Sequence, residues 1–301
     1  MKAHDSELAK LTAERGHLMS LGYRMLGTVA DAEDAVQETY ARWYRLSLDE
    51  RDAIEVPRAW LTRVAGRVCL DMLGTARARR EHYVGEWLPE PVPGTTFAAA
   101  VSVSDPLDRV TLDDSVSTAL LIVLESLTPA ERVAFVLHDV FAVPFAEIAE
   151  IVGRSVDACR QLATLARRRV RERRGAETAT PRHDELVRAF VNACASGDVE
   201  ALVAVLDPAV ILRSDGGGIV TAARNPVTGA LNVARFILGI LSKEPSIEVT
   251  ESETSDGISL VARVGGAVLS VVNLGVAMDR DSVSDVWIMM NPEKLSLWNV
   301  G

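Results

Sequence analysis

The apolar residues of this 301-residue chain change their spacing once, and that change limits the folds open to it. Up to about residue 175 they recur at helical intervals, as in Leu18, Leu21, Gly22 and Met25, then Val36, Tyr40 and Trp43, then Trp60, Leu61, Val64 and Val68. Beyond the stretch GAETATPRH at 175–183 the pattern predicts helices over 184–195, 199–206 and 230–241. β-type runs follow over 247–254, 258–264, 267–276 and 282–289, separated by turn signals at 256–257, 265–266 and 279–281. Helices first and antiparallel strands afterwards specify an α+β domain, a curved sheet wrapped on helices. The chain reads as multidomain, with two all-α modules ahead of that domain.

Residues 87–105, WLPEPVPGTTFAAAVSVSD, hold three prolines and no helical period, which marks a connection between helical units. The expected division is a helical domain over 1–86, a linker over 87–111, a second helical domain over 112–174, a hinge over 175–183 and the α+β domain over 184–301.

Composition removes several classes of function. Apolar residues make up 48%, enough for packed cores, yet no run approaches the roughly 20 apolar residues needed to span a bilayer. The start, MKAHDSELAK, lacks the apolar stretch of a signal peptide, so a cytoplasmic protein without membrane partners is expected. Cys69, Cys159 and Cys194 are far apart and sit among apolar residues, as packing cysteines do. His4, His17, His82, His138 and His183 form no HxxxH or HExxH pattern, so neither metal nor other cofactor is expected.

A formal charge of −10 argues against nucleic acid until its distribution is considered. Between Asp31 and Glu55 there are eight carboxylates and three arginines, whereas Arg154 to Arg174 holds eight arginines with only Asp157 and Glu172. This segregation suggests one surface for a protein partner and another for phosphate.

The arginine-rich stretch lies in PFAEIAEIVGRSVDACRQLATLARRRVRERR. A first helix over 145–152, Gly153 free to take positive φ, and Ser155 as N-cap of a second helix make a helix-turn-helix. Val156, Cys159, Leu162 and Ala163 give the second helix an inward face. Its outward face carries Asp157, Arg160, Gln161 and Thr164, placed to enter a major groove. Arg160 and Gln161 are expected at or near bases and Arg167, Arg168 and Arg171 at the phosphate backbone, with Ser155, Asp157 and Thr164 on the same DNA-binding face.

Two further helices precede it. DAEDAVQETYARWYRL (31–46) sets Val36, Tyr40 and Trp43 on one stripe and Asp34, Glu38 and Arg42 on another. PRAWLTRVAGRVCLDMLGTARARRE (57–81) turns basic at Arg77, Arg79 and Arg80, and its mixture of tryptophan and cations suits stacking on unpaired bases. In this order, and followed by the helix-turn-helix, these segments resemble regions 2 and 4 of extracytoplasmic-function sigma factors over residues 1–175. The resemblance implies core RNA polymerase and promoter DNA as partners. It places Asp31, Asp34, Gln37, Glu38 and Trp43 at the polymerase interface, and Trp60, Arg63, Arg67, Arg77, Arg79 and Arg80 at the −10 element. The helix-turn-helix would read the −35 element. The chain departs from the family at Ala65-Gly66-Arg67, where many members carry Ala-Arg-Asn, and at Gly74, where a basic residue is common.

WLPEP (87–91), DGGG (215–218) and NPEKL (291–295) narrow the resemblance to a sigma-J-like group with a SnoaL-like (NTF2-like) carboxy-terminal extension. There the extension implies control of the sigma modules by an intramolecular contact with the linker. Trp87 and Leu88 are expected as apolar anchors beside Pro89, and Asp215, Gly216, Gly217, Gly218, Asn291, Pro292, Glu293, Lys294 and Leu295 as their receptor. The lysine that often follows DGGG in the group is Ile219 here.

The extension reads as non-catalytic, because its acid–base pair is unfilled and its only histidine, His183, lies at its edge; a small-molecule ligand stays open. Two rival readings account for part of the chain. A one-component ligand-sensing regulator explains the helix-turn-helix but not the acidic and then basic helices before it. A SnoaL-type isomerase fused to a DNA-binding module explains the fold but leaves that acid–base pair empty.

Overall fold

The computed structural model describes residues 2–80, 83–94, 96, 117–173, 176–177, 181–254, 257–277 and 280–299, with the side chains of 2–10, 12, 76–80, 173, 176–177 and 181 outside the description. Among the described residues, 2–80 and 123–171 form one unit, and 83–94, 117–122 and 172–299 form a second.

The first unit is helical: α1 Lys2–Leu26, α2 Val29–Arg45, α3 Leu48–Asp52, α4 Pro57–Arg80, the end of α5 Thr118–Glu125, α6 Pro129–Phe135, a π-turn Val136–Val140, α7 Phe145–Val152 and α8 Val156–Arg173. Caps set several starts. Thr28 accepts from the Asp31 amide, and Ser47 with Glu50 and Thr128 with Glu131 form reciprocal capping boxes. Leu18, Leu21, Met25, Leu61 and Val68 are buried where α1, α2 and α4 meet, as their helical spacing predicts.

The two helical modules expected as separate bodies pack within this one unit. A Cβ on Gly66 would lie 3.0 Å from Leu137 Cδ1, so the glycine that departs from the family pattern lets α4 approach the second module closely. Buried Arg132 donates both to the Met25 carbonyl and to Glu125, each at 2.7 Å, and desolvation lowers its pKa to about 9.

The second unit is the α+β, SnoaL-like domain. Its elements are β1 Ala176–Glu177, α9 Pro181–Ser196, α10 Val199–Val205, β2 Leu206–Asp215, β3 Val227–Thr228, α11 Ala230–Leu241, β4 Glu248–Thr254, β5 Gly257–Val264, β6 Ala267–Ala277, β7 Ser282–Met289 and a 3-10 helix Pro292–Trp298. The strand order is β3-β2-β7-β6-β5-β4, with β1 paired to β6.

Strands β4 to β7 and the three helices follow the predicted runs, and β4 to β7 pair antiparallel as expected; β2 lies outside the predicted runs and pairs parallel with β7. Asp207-Pro208 and the polar end Arg213-Ser214-Asp215 hide its buried alternation of Val210, Leu212 and Ser214. His183, in the first turn of α9, is fully buried, and its Nε2 donates to the Leu274 carbonyl at 3.1 Å.

Both faces of this sheet are covered. On one, Val187, Phe190, Leu202, Val233 and Ile237 from the helices meet Leu212, Leu260, Leu274, Val286 and Ile288. On the other, Val261, Val271, Trp287 and Met289 meet Leu88, Leu295 and Trp298, with Ala119 and Ile122 beside them. The period-2 alternation of β7 sends Val286 and Ile288 to the first face and Trp287 and Met289 to the second.

Candidate functional site

The helix-turn-helix is built from α7 and α8 with the bounds read from the sequence. Gly153 takes φ 69° and ψ 37°, the left-handed cap that ends α7, and Ser155 Oγ accepts from the Ala158 amide at 3.2 Å to start α8. Cys159, Ala163, Ala166 and Val170 are buried, while Val156 and Leu162 are half-buried. The opposite face exposes Ser155, Asp157, Arg160, Gln161, Thr164, Arg168 and Arg171. Arg160 is held by Asp157 at 2.7 Å and lies 5.9 Å from the Phe145 ring, and Arg167 is half-buried against Asp139 at 2.7 Å.

The faces of α2 and α4 are more mixed. Asp34 and Gln37 are exposed, whereas Asp31 accepts from Thr28 at 2.8 Å and Glu38 from Arg42 at 2.9 Å. Trp43 is 4% exposed and meets Trp60 edge-on at 5.2 Å. It is a core residue, which corrects its expected place on the polymerase surface: its stripe with Val36 turns inward.

On α4, Arg67 is exposed, Trp60 is half-buried, and Arg63 pairs with Glu147 of α7 at 3.5 Å. Arg42, Trp60, Arg63, Val64, Arg67, Glu150 and Ile151 enclose a cleft of about 180 Å³. The side chains of Arg77, Arg79 and Arg80 lie outside the described residues.

In the second unit the three short motifs converge on Asp215, which is fully buried. Its Oδ1 accepts from the Tyr83 hydroxyl at 2.6 Å and the Gly217 amide at 3.0 Å, and its Oδ2 accepts from the Leu88 amide at 2.9 Å and Lys294 Nζ at 2.8 Å. Lys294 also donates to the Leu88 carbonyl at 2.6 Å, and it sits 4.1 Å from the Trp87 ring centroid and 5.2 Å from that of Tyr83. Burial, and then the Asp215 carboxylate, push the Tyr83 phenol upward, so it stays a donor.

Asn291 caps the 3-10 helix through the Glu293 amide at 3.0 Å and donates to the Tyr83 hydroxyl at 3.0 Å, while Pro292 and Glu293 are exposed. Gly217 has φ 65°, and a Cβ there would fall 2.5 Å from Asn291 Cγ, so this position of DGGG demands glycine twice over.

Leu88 is 2% exposed and is the apolar plug; Pro89 is buried beside it. Trp87, expected as a second apolar anchor, is half-buried and serves instead as a lid over the Lys294 ammonium. Residues 83–94 therefore pack within this unit, and Gly94 donates to the Glu253 carbonyl of β4 at 3.1 Å.

Two participants escaped the sequence reading. Tyr83 falls outside the WLPEP motif and carries no local signal. Trp298, whose Nε1 donates to the Pro91 carbonyl at 2.8 Å, lies three residues after Leu295, the spacing at which a 3-10 helix stacks its side chains.

Residues 11–79 match the family Sigma-70 region 2, and residues 117–170 match Sigma-70, region 4. The chain is 45% identical over 240 residues to the ECF RNA polymerase sigma factor SigJ of Mycobacterium tuberculosis, covering 79% of this chain and 74% of that protein. It is 37% identical over 298 residues to a probable ECF RNA polymerase sigma factor, SigI, of the same species, covering 98% and 97%. Its structure is similar to the crystal structure of M. tuberculosis SigJ, with a TM-score of 0.76 and 36% identity over 98% of this chain and 100% of that one.

Proposed function

The chain belongs to the extracytoplasmic-function RNA polymerase sigma factors, and from that membership we propose how its parts divide the work. The chain is a promoter-specificity subunit that binds core RNA polymerase through the first helical module and promoter DNA through both. The observation that carries the reading is α8, which buries Cys159, Ala163, Ala166 and Val170 and exposes Arg160, Gln161, Thr164, Arg168 and Arg171. A helix so divided presents its early residues to base edges and its later arginines to phosphates.

Asp34 and Gln37, exposed on α2, face the polymerase; Arg67 and Arg63 face the −10 element, the latter once it leaves Glu147. The second unit is regulatory rather than catalytic. Both oxygens of Asp215 are committed to donors, which supports a role as a clamp on residues 83–91 over one as a general base. Holding or releasing that segment sets how freely the DNA-binding modules move.

Co-elution with purified core RNA polymerase tests the partner assignment. The wild-type chain should form a stable complex, and Asp34→Arg with Gln37→Arg should weaken it at least tenfold while leaving helicity unchanged. Equal affinity for the two proteins would refute the assigned face, and no complex with either would refute the assignment itself.

A further inference from the structure

The helix-covered face of the sheet in the second unit is not filled to its end. Between α9, α11 and strands β4 to β7 lies a cavity of about 450 Å³, within the size range of small-molecule sites. Its walls are almost wholly apolar, and Phe190, Ile237, Leu260, Val272 and Ile288 are among them. Two polar side chains interrupt this lining. Ser270 is buried and makes no side-chain hydrogen bond among the described residues, so its hydroxyl is available to a guest. Glu244, exposed, accepts from the Ser246 hydroxyl.

Among the described residues no lysine or arginine lines the cavity, so an anion would enter past a carboxylate and lose its hydration without a counter-charge. An apolar cavity of this size is poor ground for water, which needs two to four polar partners.

We propose that this cavity binds an uncharged, largely apolar small molecule whose single hydrogen-bonding group meets Ser270. Its position also couples it to the segment clamped by Asp215. Val286 and Ile288 of β7 line the cavity, while Trp287 and Met289 between and after them lie on the opposite face with Leu88. Met290 lines the cavity too, its amide donates to the Asp215 carbonyl at 2.7 Å, and the next residue is Asn291. A guest that shifts β7 therefore acts on the seat of residues 83–91. The coupling rests on the regulatory reading above; the binding does not.

The test uses the full chain and two fluorescent probes of one skeleton, N-phenyl-1-naphthylamine and its 8-sulfonate. The neutral probe should bind saturably at one equivalent, and the sulfonate at least tenfold more weakly. Ala262→Trp, at the cavity wall, should weaken the neutral probe tenfold or more.

A second readout needs no variant. Cys194 lines the cavity and is the one partly exposed cysteine, its thiol held up at about 12 by burial. Saturating probe should slow its alkylation by iodoacetamide at least fivefold, with buried Cys69 and Cys159 as internal references. No saturable binding, preference for the sulfonate, or an unchanged Cys194 rate at saturation overturns the site. Hydrogen exchange over 83–92 reads the coupling separately: a change on probe binding supports it, and binding without any change refutes the coupling while leaving the site standing.

Discussion

Asp215 and Lys294 form the most consequential pair of residues in the second unit. Their side chains are 0% and 8% exposed, and between them they use a phenol, two backbone amides and a carbonyl. Burying two charges is costly, and removing one partner strands the other, at a cost of about 3–5 kcal/mol. Asp215→Asn and Lys294→Met should each lower the stability of the unit by about that amount in urea unfolding. The double variant should cost less than the sum by more than about 1 kcal/mol; additive costs would mean the two are not coupled. On α8 the residues divide otherwise. Arg160→Ala should change preference among −35 sequences by about 1–3 kcal/mol, whereas Arg168→Ala should weaken all DNA alike and lower the salt slope by about one. Equal losses on matched and mismatched sites for both variants would refute that division. Such roles were only partly legible in the sequence. Exposed cations on a helix declare themselves by spacing, but Trp43 shows that an amphipathic stripe can turn inward what a motif places outward.

At the scale of elements, legibility followed the strength of local signals. The helix-turn-helix was read to the residue because Gly153 and Ser155 fix both of its inner ends. Strands β4 to β7 were found because alternation and turn residues agree. β2 was missed because its pairing with β7 joins residues 74 to 77 positions apart in the chain and its own sequence is broken by Asp207-Pro208. The connection at 87–94 has no period of its own, and its docking on Asp215 and Lys294 was expected only from the resemblance carried by WLPEP, DGGG and NPEKL; Glu253 and Trp298, distant in sequence and outside those motifs, gave no signal. The DGGG turn supplies the element-scale prediction. Gly217→Ala places a Cβ on Asn291 at positive φ, so it should destabilise the unit by about 1–3 kcal/mol and loosen residues 83–91 in hydrogen exchange. Unchanged stability and exchange would show that the turn has room to move.

For the whole molecule, the net charge of −10 is less informative than its division between an acidic α2 and an arginine-rich α8. Two helical modules and an α+β domain were legible from periodicity alone, while the packing of the two modules in one unit was not, since it depends on Gly66, Leu137 and the Arg63–Glu147 pair meeting across the fold. That pair joins a residue assigned to the −10 element to a helix assigned to the −35 element. The central claim is that this chain selects promoters for core RNA polymerase. It is tested most directly by transcription in vitro with purified core enzyme on sheared genomic DNA of the organism that encodes the chain. The account predicts transcripts from defined start sites only when the chain is added, and a Leu88→Asp variant, which unseats residues 83–91, that changes their yield without moving those sites. No chain-dependent start site with either protein would contradict it.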